Sequence, residues 1–262
     1  MTILLTLLAC ATQGNGVETT DSREVGDFSG VRNTTFVGVH WSAGEAAAEV
    51  HCDENLLEYI STDMEDGQLV IRTPNDMLLT TRMDCHVMLQ SECLSRVAVS
   101  GSGGFVAQDG CELRELSVSG SGSADIGAIA SDSLDIQVSG SGGVQVDQVD
   151  TLLLSIYTSG SGSVSVQDIA TDTLAVEHNS SGGSNLSGQA GELDLDTSGS
   201  GAMNASDLLS YGLVARISGS GSSSVEMDGP VQAKLTGSGS LTLTGNPGPV
   251  DADESGSGRV SY

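Results

Sequence analysis

The chain has 262 residues, with nine Lys or Arg against 35 Asp or Glu and a formal net charge of −26. That balance excludes nucleic acid as a partner, because phosphates are repelled, and it disfavours direct docking on an anionic membrane. Only 3 % of residues are aromatic while 35 are Gly, which argues against a helical protein, since glycine costs about 1 kcal/mol per residue inside a helix.

Residues 1–9 read MTILLTLLA, and Cys10 follows. An apolar run ending Leu7-Leu8-Ala9 before a Cys is the pattern that a bacterial lipoprotein signal peptidase cleaves. Residues 1–9 are therefore expected to be a signal peptide, with Cys10 the lipidated first residue of the mature protein. Residues 10–20 are polar and read as a flexible tether. The expected location is the bacterial cell envelope, attached to the membrane through the lipid. Ala at position 11 points to the outer membrane or cell surface. No other stretch approaches the ~20 apolar residues of a transmembrane helix.

The folded domain is expected over 21–262. Its first part, 17–95, is denser in charge and carries strand-like runs at 30–39, 46–52 and 68–72, with a short helical turn near 54–61. It reads as irregular opening coils plus a cap, which a stacked fold needs because its end otherwise offers unpaired strand edges. Four cysteines, Cys52, Cys85, Cys93 and Cys111, suggest two disulfides in an exported chain. The separation of Cys93 from Cys111 is close to one coil of the repeat described next. Neighbouring coils would bring their Cα atoms into disulfide range. Cys93 pairs with Cys111 or else with Cys85, and Cys52 takes the partner that remains. Zinc is the alternative, but there is no C-x-x-C, and His40, His51, His86 and His178 are scattered.

From about residue 95 a tetrapeptide, Ser-Gly-Ser-Gly, recurs. It begins at Ser100, Ser119, Ser139, Ser159, Ser198, Ser218 and Ser255, with a Thr variant at Thr236 and a worn copy over 179–183. With the worn copy counted from Ser180, the spacing stays nearly constant, and a period of this kind marks a repeat architecture. Apolar residues alternate on both sides of the motif, as in Leu134, Ile136, Val138 before one copy and Val144, Val146 after it. That is the period of half-buried strands. Hairpins would reverse direction at each turn, whereas a stack of ~20-residue coils aligns like residues above one another. The prediction is a single-stranded, right-handed parallel β-solenoid of eight to nine coils, regular over 95–262, with the hand following the general preference of parallel crossovers. The glycines share the parity of the buried positions, so they mark a bend where no side chain fits. The intervening Ser hydroxyls form an outward ladder.

No catalytic constellation stands out. Carboxylates are spread by the repeat, Lys234 is the only Lys, no G-x-S-x-G elbow occurs, and the regular coils offer only Phe105, Tyr157, Tyr211 and Tyr262 as aromatics. The one irregularity is the worn copy, with Glu177 and His178 beside it. No catalytic, cofactor or metal residue is assigned. The leading reading is a non-enzymatic, adhesin-like surface or structural module with a glycan or surface protein as ligand. The alternatives are a polysaccharide-active β-helix enzyme and a calcium- or ice-binding solenoid, although the nine-residue G-G-x-G-x-D calcium repeat is absent.

Several blocks together resemble a known family. They are Arg23-Glu24-Val25 with Phe28-Ser29-Gly30-Val31, the run from Asp53 to Ile60, the run from Glu65 to Ile71, and the successive Val-Ser-Gly-Ser-Gly copies. Over roughly 23–245 the chain resembles the putative auto-transporter adhesin, head GIN domain family. The resemblance implies an exported or lipid-anchored bacterial protein with a β-solenoid fold, and it carries over no catalytic residue.

Overall fold

The structure is a computed structural model that describes residues 10–75 and 77–262, Cys10 through its backbone alone. The leader expected over 1–9 lies outside the described residues. The chain winds into a parallel β-solenoid of about eight turns with ~20 residues per coil. Each coil hydrogen-bonds in parallel to the next, and equivalent positions align. Leu134, Leu154, Leu174, Leu193, Leu213 and Val231 stand in register, as do Ile136, Ile156, Val176, Leu195, Ala215 and Ala233. After the bend, Ile126, Val146, Val166 and Leu186 form a third column. All of these side chains are buried in one continuous core. Each fully buried Leu, Ile or Val contributes about 1.5–3 kcal/mol, and the alternate residues face solvent.

The Ser-Gly-Ser-Gly corner shows why glycine recurs. The carbonyl of the first Gly accepts two N–H groups from the coil above. Ser141 and Gly142 donate to Gly120 O at 3.1 Å each, and Ser161 and Gly162 donate to Gly140 O at 3.1 and 3.0 Å. Coils approach so closely here that a Cβ on Gly122, Gly142 or Gly162 would overlap the carbonyl oxygen of the Gly one coil below. The Ser side chains at the corner point outward, and most are exposed.

The worn copy sits one residue earlier than the sequence count suggests. Ser159 aligns with Asn179 and Gly160 with Ser180, and Ser198 and Gly199 donate to His178 O. The copy is therefore Asn179-Ser180-Ser181-Gly182, and a buried Ser180 occupies a glycine position.

The region before the repeat extends the same stack, but not in chain order. Strand Gly30–Asn33 lies between Arg96–Val99 and Gln68–Arg72, parallel to both. Strand Gly38–Ala43 likewise lies between Phe105–Asp109 and His86–Ser91. The coil containing residues 68–91 is thus the outermost, and the coil of 30–43 is inserted behind it. Antiparallel strands then cover the exposed edge. Ser61–Glu65 pairs with Gln68–Arg72, Ala47–Asp53 with His86–Ser91, and Glu18–Arg23 with Ala47–Asp53. This is the cap that an open parallel edge requires.

The segment expected as a tether is pinned instead. Strand Cys10–Gln13 pairs in parallel with Met77–Thr80, and Asn55 Nδ2 donates to Gln13 O at 2.9 Å. The cause is Asp53, fully buried, whose carboxylate accepts the Gly16 N–H at 2.6 Å and the Arg82 and Met83 N–H groups at 2.9 and 3.2 Å. Burial alone would raise the Asp53 pKa. The three backbone donors and the Arg82 charge outweigh it and hold the carboxyl below its usual value.

Two disulfides staple this end, Cys52–Cys85 and Cys93–Cys111, with Cα separations of 4.3 and 5.6 Å. Cys93 therefore takes Cys111, the first of the pairings the sequence allows. Cys52, Asp53 and Cys85 resemble a metal donor set, but both sulfurs are spent in the disulfide and the carboxylate is committed to backbone N–H groups. Among the described residues no helix is long and apolar enough to cross a membrane.

Candidate functional site

The irregularity at the worn copy splits into two unrelated parts. Adjacent strand residues face opposite sides, so Glu177 points to solvent while His178 is fully buried inside the solenoid. His178 occupies the column that runs Val138, Thr158, His178, Thr197, Ile217. Its Nδ1 lies 2.8 Å from Thr158 Oγ1 and 3.1 Å from Ser184 Oγ, and its Nε2 lies 3.2 Å from Ser180 Oγ. These hydroxyls satisfy the ring, and the two adjoining coils carry Thr158 and Thr197 at the same place. The pair cannot act together on a substrate, and His178 is sealed from one.

Burial lowers the His178 pKa, with a backbone hydrogen bond to Gly182 opposing the shift. The folded ring thus stays neutral where the unfolded chain, titrating near 6.5, takes up a proton. The unfolded state binds more protons just below that pH, so stability is full above it and declines as pH falls through it, by at most ~1.4 kcal/mol per pH unit. His178→Thr, which copies the coils above and below, is expected to flatten this decline. Unfolding midpoints measured at several pH values for both proteins test it, and parallel curves would refute it.

Glu177 belongs to a different array. On the outward face of the strands that precede the corner, Gln137, Tyr157, Glu177, Asp196, Arg216 and Lys234 stand on successive rungs of one column. Beside it Ser155, Ala175 and Asp194 form a second column of mostly small side chains. The result is a shallow trough of about 360 Å³ bounded by Tyr157, Glu177, Asp194, Asp196 and Arg216. Arg216 Nη1 donates to Asp194 Oδ1 at 2.9 Å, with both side chains more than half exposed. An exposed pair of this kind is worth at most about 1 kcal/mol and is easily exchanged for a ligand. Asn179 Nδ2 donates to Glu177 Oε1 at 2.6 Å, orienting that carboxylate. An aromatic face, acceptor carboxylates and a guanidinium within a few rungs suit a polyhydroxylated or polar ligand lying across the coils. Sequence reasoning missed this array because its members lie a full coil apart in the chain, as the pairings Tyr157–Glu177, Glu177–Asp196 and Asp196–Arg216 show. The period itself could have revealed it.

Most other acidic residues have no acidic neighbour on the adjoining rungs. Asp125 has Val106 and Gln145 as rung neighbours, and Asp194 has Ala175 and Val214. Among the described residues, the parallel pairings bring carboxylates together as Glu115–Asp135 and Glu177–Asp196, short of the continuous ladder a calcium-bound solenoid would use. At the cap a wider groove of about 960 Å³ opens between Val25, Phe28, Gly44 and Cys93, rimmed by Asp27, Glu45 and Glu92.

Solved structures share this architecture. A putative lipid binding protein from Parabacteroides distasonis superposes with a TM-score of 0.74 at 23 % identity, over 96 % of this chain and 98 % of that one. A putative adhesin from Parabacteroides merdae does so with a TM-score of 0.73 at 23 % identity, over 97 % and 99 %. A putative adhesin from Bacteroides fragilis is more distant, with a TM-score of 0.54 at 17 % identity over 95 % and 99 %. No curated protein matches the chain. Residues 27–147 and again 144–247 match the family described as putative auto-transporter adhesin, head GIN domain, and the chain belongs to that family.

Proposed function

We propose that the protein is a non-enzymatic, adhesin-like module of the bacterial envelope that engages a glycan or a surface protein through the face carrying Tyr157, Glu177, Asp196 and Arg216. The observation that carries this reading is the break in an otherwise Ser-, Val- and Asp-rich repeat, which gathers an aromatic, two carboxylates and a cation on successive rungs of one open face. The family, and the adhesin names borne by its structural neighbours, agree with it. The outward Ser side chains repeated at the corners add many weak contacts, which avidity can sum. Glu177 and Asp196 stand on that open face with no cleft to exclude water, which disfavours the polysaccharide-active alternative.

Cys10 is the proposed point of lipidation. With residues 10–16 pinned to the cap, the cap end would sit at the membrane, and the axis of the solenoid would project the binding face away from it.

The test is a glycan and matrix-protein array with the soluble domain, run beside a polysaccharide depolymerisation screen and metabolic labelling with a palmitate analogue. Binding that Tyr157→Ala or Arg216→Ala weakens about tenfold, equivalent to ~1.4 kcal/mol, is the expected result. Polysaccharide turnover lost in Glu177→Gln would replace the binding reading with an enzyme. Equal label in the wild-type protein and Cys10→Ala would refute the anchor.

A further inference from the structure

The regular coils bend a second time, just ahead of the strand that leads into Ser-Gly-Ser-Gly. Ser131, Thr151, Thr171, Ala190 and Ser210 stand on successive rungs at this bend. Except at Ala190, the side-chain hydroxyl donates to the carbonyl two residues on. Ser131 reaches Ser133 O at 3.2 Å, Thr151 reaches Leu153 O at 3.3 Å, Thr171 reaches Thr173 O at 3.0 Å and Ser210 reaches Gly212 O at 2.8 Å. Such a bond fixes the turn locally, and the residue between its two ends is exposed in each case. The outer column therefore reads Asp132, Leu152, Asp172, Gly191, Tyr211, and Gly229 follows. A Cβ on Gly191 would meet Asp172 O, and one on Gly229 would meet Tyr211 O.

Tyr211 is 48 % exposed, and the glycines on both adjoining rungs put no side chain beside its ring. Below it, the missing side chain at Gly191 opens a notch of about 350 Å³. Tyr211 stands at one end and Leu152, 59 % exposed, at the other. These ends are three rungs apart, ~14 Å at the spacing of paired strands, which is room for a short run of sugar units. Asp150, Asp172 and Gln189 line the space between, over a floor that includes Ala170 and Gly191. The charged groups of the lining are both carboxylates, on a chain of net charge −26, so an anion is repelled. An aromatic plate, an aliphatic end and acceptor oxygens between them suit a ligand that is apolar on its ring faces and hydroxylated at its edges. A hexose without acidic substituents has that chemistry. The hydroxyl-locked bends hold these side chains in place before a ligand arrives, which lowers the cost of binding.

We propose that the notch between Leu152 and Tyr211 is a second binding site, which takes hexose units of a non-acidic glycan. A sugar ring packs its C–H face on Tyr211, and its hydroxyls donate to the Asp150 and Asp172 carboxylates and bond to the Gln189 amide. The site shares no residue with the face that carries Tyr157 and Arg216, and it does not depend on that face binding anything. The two nevertheless span the same coils, since Leu152 and Tyr157 belong to one strand, Gly143–Gly160. A branched or folded-over glycan that touches both gains avidity without any further contact.

Calorimetric titration and saturation-transfer NMR test it, on the full chain and on its Tyr157→Ala, Arg216→Ala form, in which the other face cannot contribute. The probes are maltohexaose, mannohexaose and chitohexaose as neutral glycans, an alginate hexamer as an acidic one, and oligolysine as a basic peptide. At least one neutral hexamer should bind both proteins at millimolar concentration or below, with saturation passing from the Tyr211 ring to sugar C–H protons. Tyr211→Ala should weaken that binding about tenfold and Asp172→Ala several-fold, while Tyr211→Phe, which keeps the ring, should retain it. Alginate should bind at least tenfold more weakly than the neutral hexamer. Loss of all neutral binding in the Tyr157→Ala, Arg216→Ala form, or full affinity in Tyr211→Ala, would overturn the proposal and leave the other face untouched. Alginate binding as tight as that of the neutral hexamer would overturn it too, and oligolysine bound in place of every sugar would assign the notch to a basic protein segment instead.

Discussion

Gly142→Val is expected to unfold the central coils. The position of a Cβ is fixed by its backbone, so no rotamer relieves the overlap with the Gly122 carbonyl oxygen. A Cβ there would also lie 3.0 Å from Gly122 C and from Val118 Cγ1. The obstacle is the backbone of the coil below, which the corner itself holds in place, with Gly142 donating to Gly120 O at 3.1 Å and Gly143 to Gly122 O at 3.3 Å. Moving the coils apart breaks those bonds. The cost should exceed about 4 kcal/mol, the exceptional end of single substitutions. Ser141→Val, one residue away but exposed, should change stability by no more than about 0.5 kcal/mol. Urea unfolding followed by far-UV circular dichroism separates the two. Each coil touches only its neighbours, so the damage should also split the transition and lower its slope. A Gly142→Val protein with the midpoint of Ser141→Val would show that the corner tolerates a side chain.

That corner also explains what the sequence could and could not disclose. The stacked coils were legible because a parallel stack places like residues above like, and the resulting period survives in the chain as the spacing of Ser-Gly-Ser-Gly. A count from Ser180 misplaces the register of the worn copy, because Ser180 looks like a first Ser. What fixes the register is the second glycine. Gly122, Gly142 and Gly162 are buried at that place, and Gly182 aligns with Gly162 below and Gly201 above. Ser180 is tolerated at the first glycine position because its hydroxyl is taken by His178. The cap was expected, but its order was not readable. Insertion of coil 30–43 behind coil 68–91 rests on pairings between strands far apart in the chain, such as Gly30 with Gln68 and Gly38 with His86, and no local pattern encodes them. The histidines looked scattered for the same reason, since His51 and His86 meet only through an antiparallel pairing of the same long range. Polar composition alone makes 10–20 look like a tether, and the buried Asp53 that pins it is a long-range partner invisible in the segment itself.

Loss of the two disulfides is the other large effect expected, and it should fall on the cap alone. Cys52–Cys85 and Cys93–Cys111 close loops of 33 and 18 residues, and restricting loops of that length in the unfolded chain is worth about 3 kcal/mol each on the chain-entropy account. Both bridges lie at the N-terminal end, where the stack departs from chain order and the coils before residue 95 lack the glycine corner. The coil of 30–43 turns without it, using buried Asn33, whose side chain donates to Val37 O at 2.8 Å and accepts from the Thr35 N–H at 3.0 Å. Cys52–Cys85 joins the antiparallel cover to the segment leading into the outermost coil, and Cys93–Cys111 clips the first regular coil to the next. The Cys52→Ser, Cys85→Ser protein should therefore lose about 3 kcal/mol and open at its cap, exposing residues 10–91 to limited proteolysis while the core from about residue 115 onward stays protected. The Cys93→Ser, Cys111→Ser protein should loosen the junction between those parts at similar cost. In a solenoid whose stability is a sum over neighbouring coils, damage at one end need not travel. Proteolytic mapping by mass spectrometry distinguishes local from global loss: cleavage spread evenly from residue 10 to 262 in either variant would mean that the cap and the regular coils fold as one cooperative unit.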